Sequence, residues 1–248
     1  DARARDAALL ARLAAWRSGL GPLHVVDLGA GTGSGLRALA PALGGPQRWT
    51  LVERDPALIG RGEAALAGCG VTWAYRRLDL ATDLDRLAAE PVDLITASAL
   101  LDLVSEPWLA RLLAWRQRAR AALYLTLSYD GRCAWAPRLP FDEVVLGLVN
   151  RHQRTDKGFG PALGPDAARR LVELASRAEA GASDWVLEPD DRPIQNALLA
   201  GYTQAALALA PARTVEVAHW AHHRRRLLAA AASRLTVGHQ DLLLLPEA

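Results

Sequence analysis

The stretch LHVVDLGAGTGSGLRALAPAL, residues 23–43, constrains the fold more than any other part of the chain. An apolar run reads as a buried strand, LRALAPAL has helical periodicity, and three glycines at alternate positions, Gly29, Gly31 and Gly33, lie between them. Such a turn lets backbone pass close to a ligand, because glycine adopts angles that side chains forbid. The theme repeats. RWTLVERD is a second strand, and PALIGRGEAALAG a helix opened by Pro56. VTWAYRRLDL is a third strand, and TDLDRLAAE a helix capped by Thr82 or Asp83. VDLITASALLDL is a fourth strand running into a loop, EPWLARLLAWRQRAR a helix, and AALYLTLSYDG a fifth strand. Strands alternating with helices of this length predict βαβ units and a doubly wound, mostly parallel sheet.

Beyond Arg132 the alternation stops, and only FDEVVLGLVNRHQR reads as helical before Pro165. PDAARRLVELASRAEAG then reads as a helix with its glycine stop, ASDWVLEP as a sixth strand, and RLTVGHQDLLLLP as a seventh. Two helices, RPIQNALLAGYTQAALALA and TVEVAHWAHHRRRLLAAAAS, fall between those strands. The expectation is one α/β domain over 1–248, with a seven-stranded sheet, an amphipathic N-terminal helix, and helical excursions at 131–164 and 192–234. Both excursions belong on the face where strands end.

Composition narrows the function classes. A chain of 248 residues with 51% hydrophobic and 23% charged residues matches an ordinary globular protein. A net charge of +2 is too small to predict nucleic-acid binding. Cys69 and Cys133 fit no zinc or CxxC spacing and read as reduced thiols of a cytoplasmic protein, and no metal is expected. No apolar run approaches a membrane span.

The glycine turn also selects the cofactor class. A dinucleotide fingerprint, G-x-G-x-x-G, fails in both registers, meeting Ser34 or Leu36 where the last glycine belongs. The sequence has instead D-x-G-x-G-x-G, beginning at Asp27. This stretch resembles motif I of the class I S-adenosylmethionine (SAM)-dependent methyltransferases. The resemblance implies SAM as cofactor, S-adenosyl-L-homocysteine (SAH) as product, and a Rossmann-like fold. It implies that Asp27, Gly29, Ala30, Gly31 and Gly33 surround the methionine portion and ribose. Glu53, at the end of the second strand, is then the ribose acid, with Asp55 its rival and Arg54 beside it. Asp79 and Leu80, after the third strand, match the adenine side. Ala97 and Ser98, ending the fourth, match the position whose carbonyl receives the methionine ammonium. The likeness covers about 23–130 well and 165–245 in topology only.

Methyl transfer asks the protein to align a nucleophile and, where the nucleophile keeps its proton, to supply a base. The acceptor side should come from segments over the sulfonium, with Leu101, Asp130, Asn150, Arg151, Arg154 and Phe159 as candidate substrate contacts. Lys157 is the single lysine, the other 28 of 29 basic side chains being arginine. An ammonium is a compact three-donor charge that shifts its pKa on burial, where guanidinium is a rigid fork. Lys157 therefore reads as a substrate-gripping residue on a lid, or as one tied to Asp156 or Asp130. His152 is the candidate base, with Tyr129 in reserve. The cluster His219, His222, His223, Arg224, Arg225, Arg226 reads as a solvated basic face. The expected function is methylation of an O or N of a small polar or anionic metabolite, without membrane or nucleic-acid partner. RNA- or protein-directed methylation and a non-catalytic SAM-binding scaffold are the rival readings. Oligomeric state is not legible.

Overall fold

The structure, a computed structural model, describes residues 3–175 and 177–247. Its elements are α1 (Ala7–Ser18), β1 (Leu23–Leu28), α2 (Ser34–Leu43), β2 (Gln47–Glu53), α3 (Pro56–Leu66), β3 (Thr72–Arg77), α4 (Leu80–Leu87), β4 (Leu94–Ser98), α5 (Glu106–Ala119) and β5 (Ala122–Ala136). These are followed by α6 (Asp142–Gln153), α7 (Ala167–Leu174), β6 (Glu179–Ala182), β7 (Trp185–Leu187), α8 (Arg192–Leu209), α9 (Thr214–Ala229) and β8 (Arg234–Leu244). The sheet order is β3-β2-β1-β4-β5-β8-β6, with β7 also paired to β8. Strands β1 to β5 pair in parallel, whereas β8 runs antiparallel to β5, β6 and β7. The order reverses between β1 and β4, and the crevice beyond their carboxyl ends is where open α/β sheets bind ligands.

The fold class is as the sequence predicts, with corrections in detail. The sheet has eight strands among the described residues, because the expected sixth strand is β7 and an additional short strand, β6, precedes it. The expected helix through Gly181 stops at Leu174, and Glu179–Ala182 pairs with β8 instead. Helix α4 begins at Leu80 and is capped by Asp79, whose carboxylate accepts from the Ala81 amide at 2.9 Å, not by Thr82 or Asp83. The first excursion begins after residue 136, since β5 continues through Gly131 by way of irregularities in its pairing with β8.

Two cores cover the faces of the sheet, and a third lies beyond it. One face packs Leu9 and Leu13 of α1 and Leu36 and Leu39 of α2 on Val25, Trp49 and Tyr124. The other packs Leu84, Leu109 and Leu112 on Val26, Ile95 and Leu125. The third joins α6, α8 and α9 to the far halves of β5 and β8 through Val149, Tyr202, Trp220, Trp135 and Val237. At its centre Arg224 is buried: Nε donates to Asp142 Oδ1 at 3.1 Å, Nη2 to Oδ2, and Nη1 to the Pro137 carbonyl at 2.8 Å. Trp220 Nε1 also donates to Asp142 at 2.8 Å, and the guanidinium lies over the Trp135 ring. The basic face read from the sequence therefore loses the first of its three arginines to the core, while His222, His223, Arg225 and Arg226 stay exposed. No described helix is long and apolar enough to cross a membrane, and the described residues hold no metal-ligating cluster.

Candidate active site

The glycine turn has the geometry that its sequence demands. Gly29, Gly31 and Gly33 have φ of 67°, 54° and 75°, and a Cβ on Gly31 would face open space. The turn is tied down from both sides. The Ala30 amide donates to the Val52 carbonyl at 2.9 Å, and the Tyr75 hydroxyl to the Gly31 carbonyl at 3.0 Å. Glu53 ends β2 with one oxygen accepting from the Gly31 amide at 3.0 Å and the other from the Arg54 and Asp55 amides at 2.8 and 2.9 Å. Asp55 is committed to capping α3 through the Ala57 amide. Of the two acids weighed for the ribose, Glu53 is therefore the one in contact with the glycine turn.

Beside it, Arg54, Asp55, Pro56, Arg77, Leu78, Asp79 and Asp83 line a cleft of about 620 Å³ beyond the ends of β2 and β3. Arg54 and Asp79 face each other at 3.5 Å. The Leu80 carbonyl accepts from Trp108 Nε1 at 2.7 Å, which ties α4 to α5. Ala97 and Ser98 end β4, and the next residue, Ala99, has a φ of 52°, so the chain turns sharply at the crevice. A cavity of about 650 Å³ lined by Arg116, Arg120, Arg177 and Glu247 lies at the opposite ends of the strands, remote from all of these groups.

Asp27 is fully buried on β1, packed against Gly35 of α2, and its Oδ2 has no hydrogen-bond partner among the described residues. Burial pushes its carboxyl up to about 7, opposed by the charge of Arg5. The glycine cradle, the acid at the end of β2 and this orphaned carboxylate fit a cofactor with adenosine at one end and a cation at the other.

Residues 25–121 match the family model described as a methyltransferase domain. That stretch, from β1 to the start of β5, is therefore similar to a methyltransferase domain. No curated protein matches its sequence. Among solved structures, the chain is similar to a SAM-dependent methyltransferase from Geobacter sulfurreducens in complex with SAH, at 16% identity and a TM-score of 0.47, covering 98% of this chain and 92% of that one. It is similar to YjhP from E. coli at 14% identity and a TM-score of 0.49, covering 98% and 94%. The cyclopropane synthase MmaA2 from Mycobacterium tuberculosis aligns at 12% identity and a TM-score of 0.46, covering 94% and 82%. Likenesses this distant carry no statement about substrate.

On the expected acceptor side, the candidates fall into two groups. Tyr129 and Asn150 meet, the phenol donating to Asn150 Oδ1 at 2.8 Å while Asn150 Nδ2 donates to the Gly131 carbonyl at 3.0 Å. Burial holds the Tyr129 phenol protonated, so it acts as a donor and not as the reserve base. His152 and Lys157 form the second group, with Nδ1 and Nζ 3.3 Å apart and Thr155 Oγ1 accepting from Nζ at 3.1 Å. His152 lies two residues beyond Asn150 on α6, about 200° round the helix, so the groups face different sides. Burial and the neighbouring ammonium lower the His152 pKa, which keeps the imidazole neutral.

The expected tie of Lys157 to Asp156 or Asp130 is absent. Asp156 accepts from the Gly158 and Gly160 amides, and Asp130 holds Arg132. Among the other substrate candidates, Leu101 is core, Arg154 pairs with Asp166 at 2.8 Å, and Phe159 packs edge-on against Trp108. Arg151 is exposed.

Asp102 escaped the sequence reading, though an acid in the apolar run ALLDLV was a signal. It is buried in the turn after β4, and burial raises its pKa to about 6 against the opposing pull of the Asp102 and Tyr129 backbone. The folded protein therefore holds a proton that the unfolded chain releases near 3.8, so this group's contribution falls as pH rises from about 4 to about 6. The shift of about two units corresponds to roughly 3 kcal/mol. Asp102→Asn, which cannot titrate, should gain stability relative to the parent by up to that amount between pH 4 and pH 8. Urea unfolding across the range reads it, and a pH-independent difference would contradict the assignment.

Proposed function

We propose that the protein transfers the methyl group of SAM to an O or N of a small polar or anionic metabolite. The observation that carries this reading is enclosure. Ser128 and Tyr129 on β5 and Asp102 after β4 are buried, and α6 packs over the extended β5. A polynucleotide or protein substrate needs an open approach. The basic stretch on α9 that could favour RNA has the first of its three arginines, Arg224, neutralised by Asp142. Arg151 is exposed and Lys157 touches no carboxylate among its hydrogen-bond partners, so positive charge is left over near α6 for an anionic acceptor.

Bound SAM would supply an electrophilic methyl on a sulfonium, open to in-line attack by the acceptor's lone pair, with the C–S electron pair leaving on the sulfur of SAH. The chain's part is to hold the acceptor aligned and to exclude water. Loop 155–164 is fitted to that role: the Leu163 amide donates to the Val104 carbonyl at 2.8 Å, and Phe159 rests on Trp108. His152 is the base in this reading, since its imidazole is neutral and the Tyr129 phenol stays protonated.

Methyl-labelled SAM, supplied with a cell extract split into metabolite, RNA and protein fractions, tests the proposal. Label should enter the metabolite fraction. Label in RNA or protein would overturn the substrate class, and SAH binding without any transfer would favour a non-catalytic scaffold.

A further inference from the structure

The segment before α1 brings a charged side chain under the cofactor turn. Arg5 is not exposed, and its Nε and Nη1 are buried with no hydrogen-bond partner among the described residues. Buried guanidinium donors left unmade are costly, so a ligand at such donors has a ready gain. The neighbouring backbone fixes where Arg5 sits. The Asp6 amide donates to Asp241 Oδ2 at 2.9 Å, and the Asp6 carboxylate caps α1 through the Leu9 amide at 2.8 Å. The same carboxylate is packed so tightly on β6 that a Cβ on Gly181 would meet it at 2.4 Å. Asp241 in turn accepts from the Leu127 amide and the Tyr124 hydroxyl.

The sheet register shows what Arg5 faces. Asp27 pairs with Thr96, and Thr96 with Tyr124, so the three stand in one row across β1, β4 and β5. Asp27 and Tyr124 are two strands apart, about 10 Å. Arg5 acts electrostatically on both. The row lies two residues before Gly29 on β1 and two before Ser98 on β4, directly below the crevice between those strands. Two opposite charges are thus buried near each other: an orphaned carboxylate oxygen and two orphaned guanidinium donors that do not meet. A group carrying both charges would satisfy both, and an α-amino acid carries both on one carbon.

We propose that Arg5 recognises the α-carboxylate of the cofactor's amino-acid end, while Asp27 provides the negative charge opposite its ammonium. This rests on the SAM reading of the site. The planar fork of arginine suits a carboxylate, two parallel N–H donors meeting two oxygens. The segment that precedes α1 is then part of the cofactor site, a role that its sequence, DARARD, does not advertise.

Calorimetry with three ligands tests this: SAH, decarboxylated SAH, which keeps the ammonium, and methylthioadenosine, which has neither charge. The parent protein should bind SAH roughly ten- to a hundredfold more tightly than decarboxylated SAH, the range of a lost charge-assisted hydrogen bond. In Arg5→Ala that preference should vanish while methylthioadenosine affinity stays the same, and Arg5→Lys should keep part of it. Equal binding of SAH and decarboxylated SAH by the parent would overturn the proposal, even if Arg5→Ala proves unstable. A loss in Arg5→Ala shared equally by all three ligands would also overturn it, as a structural effect. Methylthioadenosine bound without any carboxylate preference would leave the SAM reading standing and remove Arg5 alone. No binding of any ligand would remove both.

Discussion

Replacing Arg224 with alanine should destabilise the protein by about 3–5 kcal/mol, the usual consequence of removing one partner of a buried ion pair. The change leaves the Asp142 carboxylate inside the third core, facing only Trp220 Nε1 and the Leu139 amide. It also frees the Pro137 carbonyl and empties the space over Trp135. Charge reversal of the two arginines that follow it, Arg225→Glu with Arg226→Glu, should change stability by no more than about 0.5 kcal/mol, because both side chains are exposed. Chemical denaturation of the variants reads the difference directly. A small effect for Arg224→Ala would mean that α9 is not anchored to α6 through this pair. Substituting both partners, Arg224→Met with Asp142→Leu, should recover part of the loss, since no unpaired charge then remains.

Glu53→Ala should lower SAH affinity by about 1–3 kcal/mol and cost stability of a similar size. The cause is double. The carboxylate is the acid expected to accept the ribose hydroxyls, and it also holds the Gly31, Arg54 and Asp55 amides in place. Glu53→Gln should lose nearly as much, because either orientation of the amide sets an N–H against a backbone N–H where an acceptor stood. Calorimetry with SAH, paired with thermal unfolding of the free protein, separates the two contributions. Unchanged SAH affinity in Glu53→Ala would remove Glu53 from the cofactor site.

The parallel half of the fold was legible because its signals are local. Apolar strands, a glycine turn and periodic helices follow one another within short windows, and the acids that end β2 and β3 fall in order behind them. What was not legible depends on long-range pairing. The fifth strand reads as ending at SYDG, yet Gly131, at a φ of 88°, carries β5 through an irregularity toward Ala136. RAEAG has helical propensity, but pairing with Leu243, Leu242 and Asp241 makes it a strand. Arg224 is the first of three nominally similar arginines, and only its place on α9, facing Asp142 across 82 residues, distinguishes it. Arg5 and Asp102 were missed for the same reason, since their surroundings come from β1, β5 and β8.

The position of β8 bears on how the chain is made. Residues 234–244 form the centre of the antiparallel half, bonded to β5, β6 and β7 together. While a ribosome is still short of them, β5 presents an open edge and β6 and β7 have nothing to pair with. The nascent protein can assemble β1 to β5 early, but the rest waits on the last strand. Such late, long-range closure makes for slow completion and a period of exposure to chaperones and to aggregation. A chain stopped before residue 234 would lose not one strand but the partner of three.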